Sequence, residues 1–276
     1  MEDLQQALER YRNENGKQGA RGPGARLKEV PPPIIYSKTK TLDCPEELLR
    51  KRRIVLGYER GPFVEGYNLL RTQVLHRLRE NGWNVLGVTS PNEQEGKTLT
   101  ATNLAISLAM EATQTVLLVD ANLRRPGIHR LFGLREAPGL ADVLLDETPV
   151  EDVLVHPGIG RFVLLPGGRA IPRSAEALTS PRMTALMTEL KHRYDSRILV
   201  LDLPPVLASA DVLAFGPILD AVLMVTGEGI TRRDDVEEAI HRLKEVVPII
   251  GTVLNQVGRE EAGVTRRQAS KAASRR

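Results

Sequence analysis

Three consecutive pieces between residues 85 and 110 constrain this chain more than anything else in it. Val85-Leu-Gly-Val-Thr89 is an apolar run of the length of one buried strand, and residues 90–97 are polar and turn-rich. From Thr98 to Met110 the chain is apolar at Leu99, Leu104, Ala105, Leu108 and Ala109, which predicts a helix. Gly96-Lys97-Thr98 sits where the loop meets that helix. In such a junction the backbone N–H groups turn inward onto phosphate oxygens, a lysine reaches the outer phosphates and a hydroxyl binds Mg²⁺. The helix N-terminus adds a dipole that favours anions. The first glycine of the pattern G-x-x-x-x-G-K-T is replaced by Pro91. Residues 90–98 are read as a phosphate-binding loop for a nucleoside triphosphate, with Ser90, Glu93, Gln94, Glu95, Gly96, Lys97, Thr98 and Leu99 as candidate contacts.

The same kind of apolar run recurs. Val116-Leu-Leu-Val119 ends in Asp120, Phe162-Val-Leu-Leu165 in Pro166-Gly-Gly, and Ile198-Leu-Val-Leu201 in Asp202. Further runs lie at 221–225 and 249–254. Helices are expected over 62–80, where Phe63, Tyr67, Leu70, Val74 and Leu78 share one face, and over 174–192 and 231–246. Continuous rather than alternating apolar strands separated by helices imply an α/β fold, a mostly parallel sheet covered on both faces. Ligands of such sheets bind at the carboxyl ends of the strands. Asp120, Asp202 and the loop at 90 all fall at that edge. A carboxylate there either binds Mg²⁺ through water or accepts a proton from an attacking hydroxyl, so both are candidate metal-site residues together with Thr98. Arg124 and Arg125 follow Asp120 closely and suit a phosphate or a neighbouring subunit.

Charge divides the chain. Residues 1–53 carry 12 basic and 8 acidic residues and residues 257–276 carry 6 and 2, while the middle holds 20 and 25. An extension over 1–53, rich in Gly and Pro through Pro31-Pro32-Pro33, a nucleotide-binding domain over 54–257 and a basic tail over 258–276 are expected. Basic ends of this kind suit acidic lipid headgroups, nucleic acid or an acidic partner, or serve as solvated tails. One cysteine, Cys44, argues against a disulfide framework and fits a reducing cytoplasm. No apolar run reaches the length of a membrane span, and the N-terminus lacks an apolar leader. Cytoplasmic placement, or attachment to the inner membrane face through a partner, is therefore expected. The five histidines are scattered without metal-ligand spacing.

Read together, Val88-Thr-Ser-Pro-Asn-Glu-Gln-Glu-Gly-Lys-Thr98, Val116-Leu-Leu-Val-Asp-Ala-Asn-Leu-Arg-Arg-Pro126 and Ile198-Leu-Val-Leu-Asp-Leu-Pro-Pro-Val-Leu207 resemble the Walker A, A′ and B motifs of bacterial tyrosine kinases of capsule and exopolysaccharide synthesis. Leu165-Pro-Gly-Gly168, the stretch 175–182, Ala210-Asp-Val-Leu213 and Gly251-Thr-Val-Leu-Asn-Gln256 agree with it. The resemblance runs from about 54 to 257. It implies a P-loop fold related to the MinD-type ATPases, ATP and Mg²⁺, and tyrosine autophosphorylation between subunits of a ring. It also implies activation by a transmembrane polysaccharide co-polymerase, with no nucleic acid expected. Carried over by position, Lys97 contacts the β- and γ-phosphates, Thr98 binds Mg²⁺, Asp120 accepts the proton, Asp202 holds the metal through water, and Asn255 faces the adenine.

The chain departs from the family at three points. Asn122 replaces the second aspartate of D-x-D, Asn68 replaces the middle arginine of the interface motif E-x-x-R-x-x-R begun by Glu65 and ended by Arg71, and the tail after 258 has no tyrosine. The tyrosines are Tyr11, Tyr36, Tyr58, Tyr67 and Tyr194, so an autokinase uses Tyr11 or Tyr36, or acts on another protein. Two alternatives stand beside the kinase: a nucleotide-binding switch of polysaccharide export without kinase activity, and a partition ATPase of the ParA/MinD type. The second usually carries an early loop lysine where this chain has Asn92.

Overall fold

A computed structural model describes residues 39–56, 59–111, 113–192 and 197–258. Tyr11, Tyr36, Tyr58, Tyr194 and the basic tail lie outside the described residues. An eight-stranded sheet organises the domain. In chain order the strands are β1 (Lys40–Thr41), β2 (Val85–Thr89), β3 (Thr115–Asp120), β4 (Val155–His156), β5 (Phe162–Leu165), β6 (Arg197–Asp202), β7 (Ala221–Gly227) and β8 (Ile249–Asn255). Their spatial order is β1-β4-β5-β3-β6-β2-β7-β8. From β5 to β8 all neighbours are parallel, and β4 alone pairs antiparallel, with β5.

Alternation along each strand fills two cores. Leu117 and Val119 of β3 and Leu199 and Leu201 of β6 enter one, while Val116, Leu118, Ile198 and Val200 enter the other. Helices α2 (Pro62–Asn81) and α3 (Lys97–Ala109) cover the second face, and α3 is buried almost all round, as its apolar sequence requires. The first face is covered by α5 (Leu140–Leu145), α6 (Val150–Val153), α7 (Ser174–Leu178), α8 (Pro181–His192), α9 (Asp211–Phe215) and α10 (Arg233–Leu243). The short α4 (Ile128–Leu131) follows β3, and α1 (Glu46–Lys51) precedes α2.

Two expectations are corrected. The helix anticipated over 174–192 is two helices, α7 and α8, because Pro181 disfavours helical backbone at Ser180 and the Ser180 hydroxyl accepts the Met183 N–H at 3.2 Å. The extension anticipated over 1–53 does not reach that far. Leu49, Ile54, Val55 and Leu56 are buried against α2 and α3, and β1 pairs with β4. Asn103 of α3 clasps this segment: its Nδ2 donates to the Arg53 carbonyl and its Oδ1 accepts the Val55 N–H, each at 2.9 Å. The sequence signal is weak because the strand has two residues and the helix six. Cys44 belongs to the same segment; it is half-buried, its thiol donates to the Phe132 carbonyl, and burial raises its pKa.

Asn103→Ala leaves the buried Val55 N–H and the part-buried Arg53 carbonyl unpaired, a cost of about 1–3 kcal/mol. Its melting temperature, followed by circular dichroism, is expected to fall by roughly 2–10 °C. An unchanged value would mean that residues 39–56 contribute nothing to the fold.

Candidate nucleotide site

The parallel strands deliver their carboxyl ends to one edge, and the loop 90–96 between β2 and α3 lies there. Two residues of the loop adopt left-handed backbone, Gln94 at φ 65° and Gly96 at φ 88°. At Gly96 a side chain is excluded twice, by that φ and because a Cβ would lie 2.0 Å from Asn255 Nδ2. The loop is fastened from outside its own helix. Asn255 Nδ2 donates to the Glu95 carbonyl at 3.0 Å, and Gln256 Nε2 donates to the Gln94 carbonyl at 2.7 Å. The Glu95 side chain is buried and points inward, accepting the Asn92 N–H at 2.8 Å and the Thr231 hydroxyl at 2.6 Å. Asn92 Nδ2 donates to Asp235 at 2.9 Å, and the Ser90 hydroxyl donates to the Asn92 carbonyl at 2.6 Å.

The candidate contacts thus divide. Glu93, Gln94, Lys97 and Thr98 line a cleft of about 660 Å³ with Asn122, Arg124 and Arg125. The side chains of Ser90, Glu95 and Asn255 hold the loop in shape, and Leu99 is half-buried in the first turn of α3. Glu95, Thr231, Asp235 and Gln256 brace the loop in ways that local sequence does not reveal. Of these, Glu95 and Gln256 belong, with Asn255, to stretches that carry the family resemblance; Thr231 and Asp235 do not.

Asp120 and Asp202 are register partners on β3 and β6 and are buried to 0% and 1% exposure. One oxygen of Asp120 accepts the N–H groups of Gly127 at 2.8 Å and Ile128 at 3.0 Å; among the described residues Oδ1 has no hydrogen bond of good geometry. Gly167 must be glycine for this packing, since a Cβ would sit 2.6 Å from Pro126 and 3.2 Å from the Asp120 carboxyl carbon. Neither oxygen of Asp202 accepts a hydrogen bond of good geometry. Burial, and then the Asp202 charge, push Asp120 up to about 7, against the backbone N–H groups it accepts. Burial pushes Asp202 up to about 6, while the Lys97 ammonium and the nearby Thr98 hydroxyl hold it down. Three orphaned carboxylate oxygens beside a lysine and a hydroxyl fit a hydrated divalent cation with its phosphate ligand.

Across the cleft Arg125 pairs with Glu93, and Arg124 pairs with Asp211, a carboxylate at 0% exposure.

A phosphate-loop junction on a mostly parallel sheet, with acidic strand ends facing it, defines the P-loop nucleotide-binding class. In sequence the chain is 32% identical over 195 residues to the tyrosine-protein kinase Etk of Escherichia coli K12, covering 70% of this chain and 26% of that protein. The solved kinase domain of Escherichia coli tyrosine kinase ETK superposes with a TM-score of 0.65 at 28% identity, over 81% of this chain and 89% of that one. The septum site-determining protein MinD of Pyrococcus horikoshii, solved with Mg-ADP, has the same fold at a TM-score of 0.53 and 23% identity, over 64% and 71% of the two chains. No family model matches the chain. Sequence and fold together place it in the bacterial tyrosine-kinase family, and its kinase and P-loop ATPase neighbours imply nucleotide binding. The chain spans only 26–31% of the length of the curated relatives it matches.

Two buried, under-bonded carboxylates burden the fold. Asp202→Asn removes one charge and supplies an N–H beside the partnerless Asp120 oxygen. Without nucleotide or Mg²⁺ its melting temperature is expected to rise, by about 2–4 °C for each kcal/mol of relieved desolvation. A lower value in calorimetry would show that the carboxylate is structurally satisfied.

Proposed function

We propose that this domain binds ATP with Mg²⁺ and transfers the γ-phosphoryl group to tyrosine, as the kinase module of a capsule or exopolysaccharide system. The observation that carries the reading is the pair of buried carboxylates facing the phosphate loop in a chain of this family. In this reading Lys97 neutralises the β- and γ-phosphates, and Thr98 and Asp202 hold the metal, Thr98 directly and Asp202 through water. The N–H groups of the loop hold the phosphate oxygens. Mg²⁺, when bound, withdraws charge from the outer phosphates. The acceptor tyrosine oxygen attacks the γ-phosphorus, the bond from that phosphorus to the β-γ bridging oxygen breaks, and ADP leaves. The tyrosine proton passes to Asp120, whose free Oδ1 and raised pKa suit a base. Asn255, which braces the loop, flanks the space for the base.

The acceptor is Tyr11, Tyr36 or a tyrosine of another protein. The remaining assignments follow the family: a transmembrane polysaccharide co-polymerase as activator, assembly with further copies, no nucleic acid, and a place in the cytoplasm at the inner membrane face. None of the helices among the described residues is long and apolar enough to cross a membrane. The kinase module includes residues before 54, since Leu49 and strand β1 pack into it. A second reading is a nucleotide switch of the same machinery without kinase activity, favoured by Asn122 in the cleft and a tail without tyrosine. A partition ATPase is disfavoured because Asn92, at the position of the early loop lysine, is bonded to Asp235.

Purified protein incubated with γ-labelled ATP and Mg²⁺ is expected to carry label on tyrosine, located by mass spectrometry. Lys97→Met and Asp120→Ala should each lower it by about 100-fold or more. Full labelling of Lys97→Met would sink the kinase reading; nucleotide binding without phosphotyrosine would establish the switch.

A further inference from the structure

Asp211 is the first residue of α9 and has 0% exposure, yet neither the phosphate loop nor the acidic strand ends use it. Its two oxygens face one guanidinium. Arg124 Nε donates to Oδ2 and Nη2 to Oδ1, both at 3.3 Å, a side-on fork. Ser174, first residue of α7 and also 0% exposed, donates its hydroxyl to Asp211 Oδ2 and accepts Arg124 Nε at 3.1 Å. The three residues come from the loops after β3, β5 and β6, so the cluster ties together three of the strand ends that surround the cleft.

A fully buried carboxylate is tolerated only when a cation and hydrogen bonds compensate it. Arg124 therefore cannot swing out to solvent without stranding Asp211. With Nε and Nη2 committed, Nη1 is the remaining nitrogen, and among the described residues it has no hydrogen-bond partner. The Arg124 side chain is 46% exposed and lines the cleft that Lys97 and Thr98 line. Two nitrogens of the guanidinium are fixed on Asp211 while the side chain lines the ligand space, which is how a planar guanidinium is pre-oriented for an anion.

We infer that Asp211 and Ser174 are positioning residues that hold Arg124 Nη1 as a fixed contact for the terminal phosphate of the bound nucleoside triphosphate. This rests on the reading of the cleft as a nucleotide site. Neither residue touches the ligand; both act through Arg124. Lysine at 124 cannot replace the fork, because an ammonium cannot engage both Asp211 oxygens in one plane and keep a donor turned outward.

The test is a fluorescence titration of the full chain, in Mg²⁺, with the N-methylanthraniloyl derivatives of ADP and of a non-hydrolysable ATP analogue. Ser174→Ala and Asp211→Asn are each expected to weaken the triphosphate about tenfold and leave the diphosphate nearly unchanged. Arg124→Lys should resemble Arg124→Ala. In an Arg124→Ala background, Ser174→Ala and Asp211→Asn should have no further effect on the triphosphate. A role in folding alone would lower the melting temperature without discriminating between the two nucleotides. Should Asp211→Asn not fold, the cycle of Ser174→Ala with Arg124→Ala decides. Equal effects on both nucleotides, no effect, or additive effects in the Arg124→Ala background overturn the proposal. Lys97→Met separates the two levels: wild-type affinity in that variant would fail the nucleotide reading itself. Its loss there, with Ser174→Ala and Asp211→Asn binding like wild type, would fail only the positioning pair.

Discussion

Parallel pairing of β3 with β6 sets Asp120 against Asp202, and much else in the domain answers to that juxtaposition. Equal register on adjacent strands sends both carboxylates toward the same edge, where each is shut away from water. Their mutual repulsion and their desolvation add together. The compensation is incomplete: two backbone N–H groups for Asp120, a lysine charge and a hydroxyl for Asp202. The apolar strands around them offset the remainder, since burying each Leu or Val contributes about 1.5–3 kcal/mol. A site with this surplus of negative charge fits a divalent cation and its phosphate ligand.

The same logic governs the loop. A phosphate-binding loop turns N–H groups toward its ligand, so much of the holding falls to its carbonyl groups and side chains, joined here by the Asn92 N–H. Here the Gln94 and Glu95 carbonyls are gripped by the amides that end β8, and the Glu95 carboxylate is gripped by Asn92 and Thr231. The left-handed backbone at Gln94 and Gly96 persists because these bonds determine it. Loop shape therefore depends on strands β7 and β8, more than a hundred residues further along the chain.

That distance separates what is legible in the sequence from what is not. The strands β2, β3, β5, β6, β7 and β8 are readable because each is a continuous apolar run. The acidic ends of β3 and β6 are readable because a carboxylate that closes such a run stands at the ligand edge of a parallel sheet. Lys97 and Thr98 are readable from local spacing. Glu95 is not, since its role depends on Thr231, and nothing within the loop itself distinguishes an inward glutamate from the outward Glu93. Asp211 and Ser174 lie in or beside stretches that match the family, but a match carries no geometry, and only the fold brings them to Arg124. Strands β1 and β4 are too short to leave a pattern, so the segment 39–53 looks like a linker although Asn103 holds it.

What Asn122 does to the site follows from charge. With an aspartate at that position the cleft would carry a further negative group beside the cation; with the amide, the charged groups lining it are Lys97, Arg124 and Arg125 against Glu93. Arg125 is already engaged by Glu93 and Arg124 by Asp211, so the balance is less positive than the count of cations suggests. The amide thus reduces the pull on a divalent cation and places more of the burden of holding the phosphates on Lys97 and on the free edge of Arg124. On the proposed reading such a site keeps its base, since among the described residues Asp120 Oδ1 has no hydrogen-bond partner. On the proposed reading it also transfers a phosphoryl group and tells a triphosphate from a diphosphate through a guanidinium held on Asp211. A kinase and a nucleotide switch both have to tell a triphosphate from a diphosphate; they differ only in whether a tyrosine hydroxyl reaches Asp120.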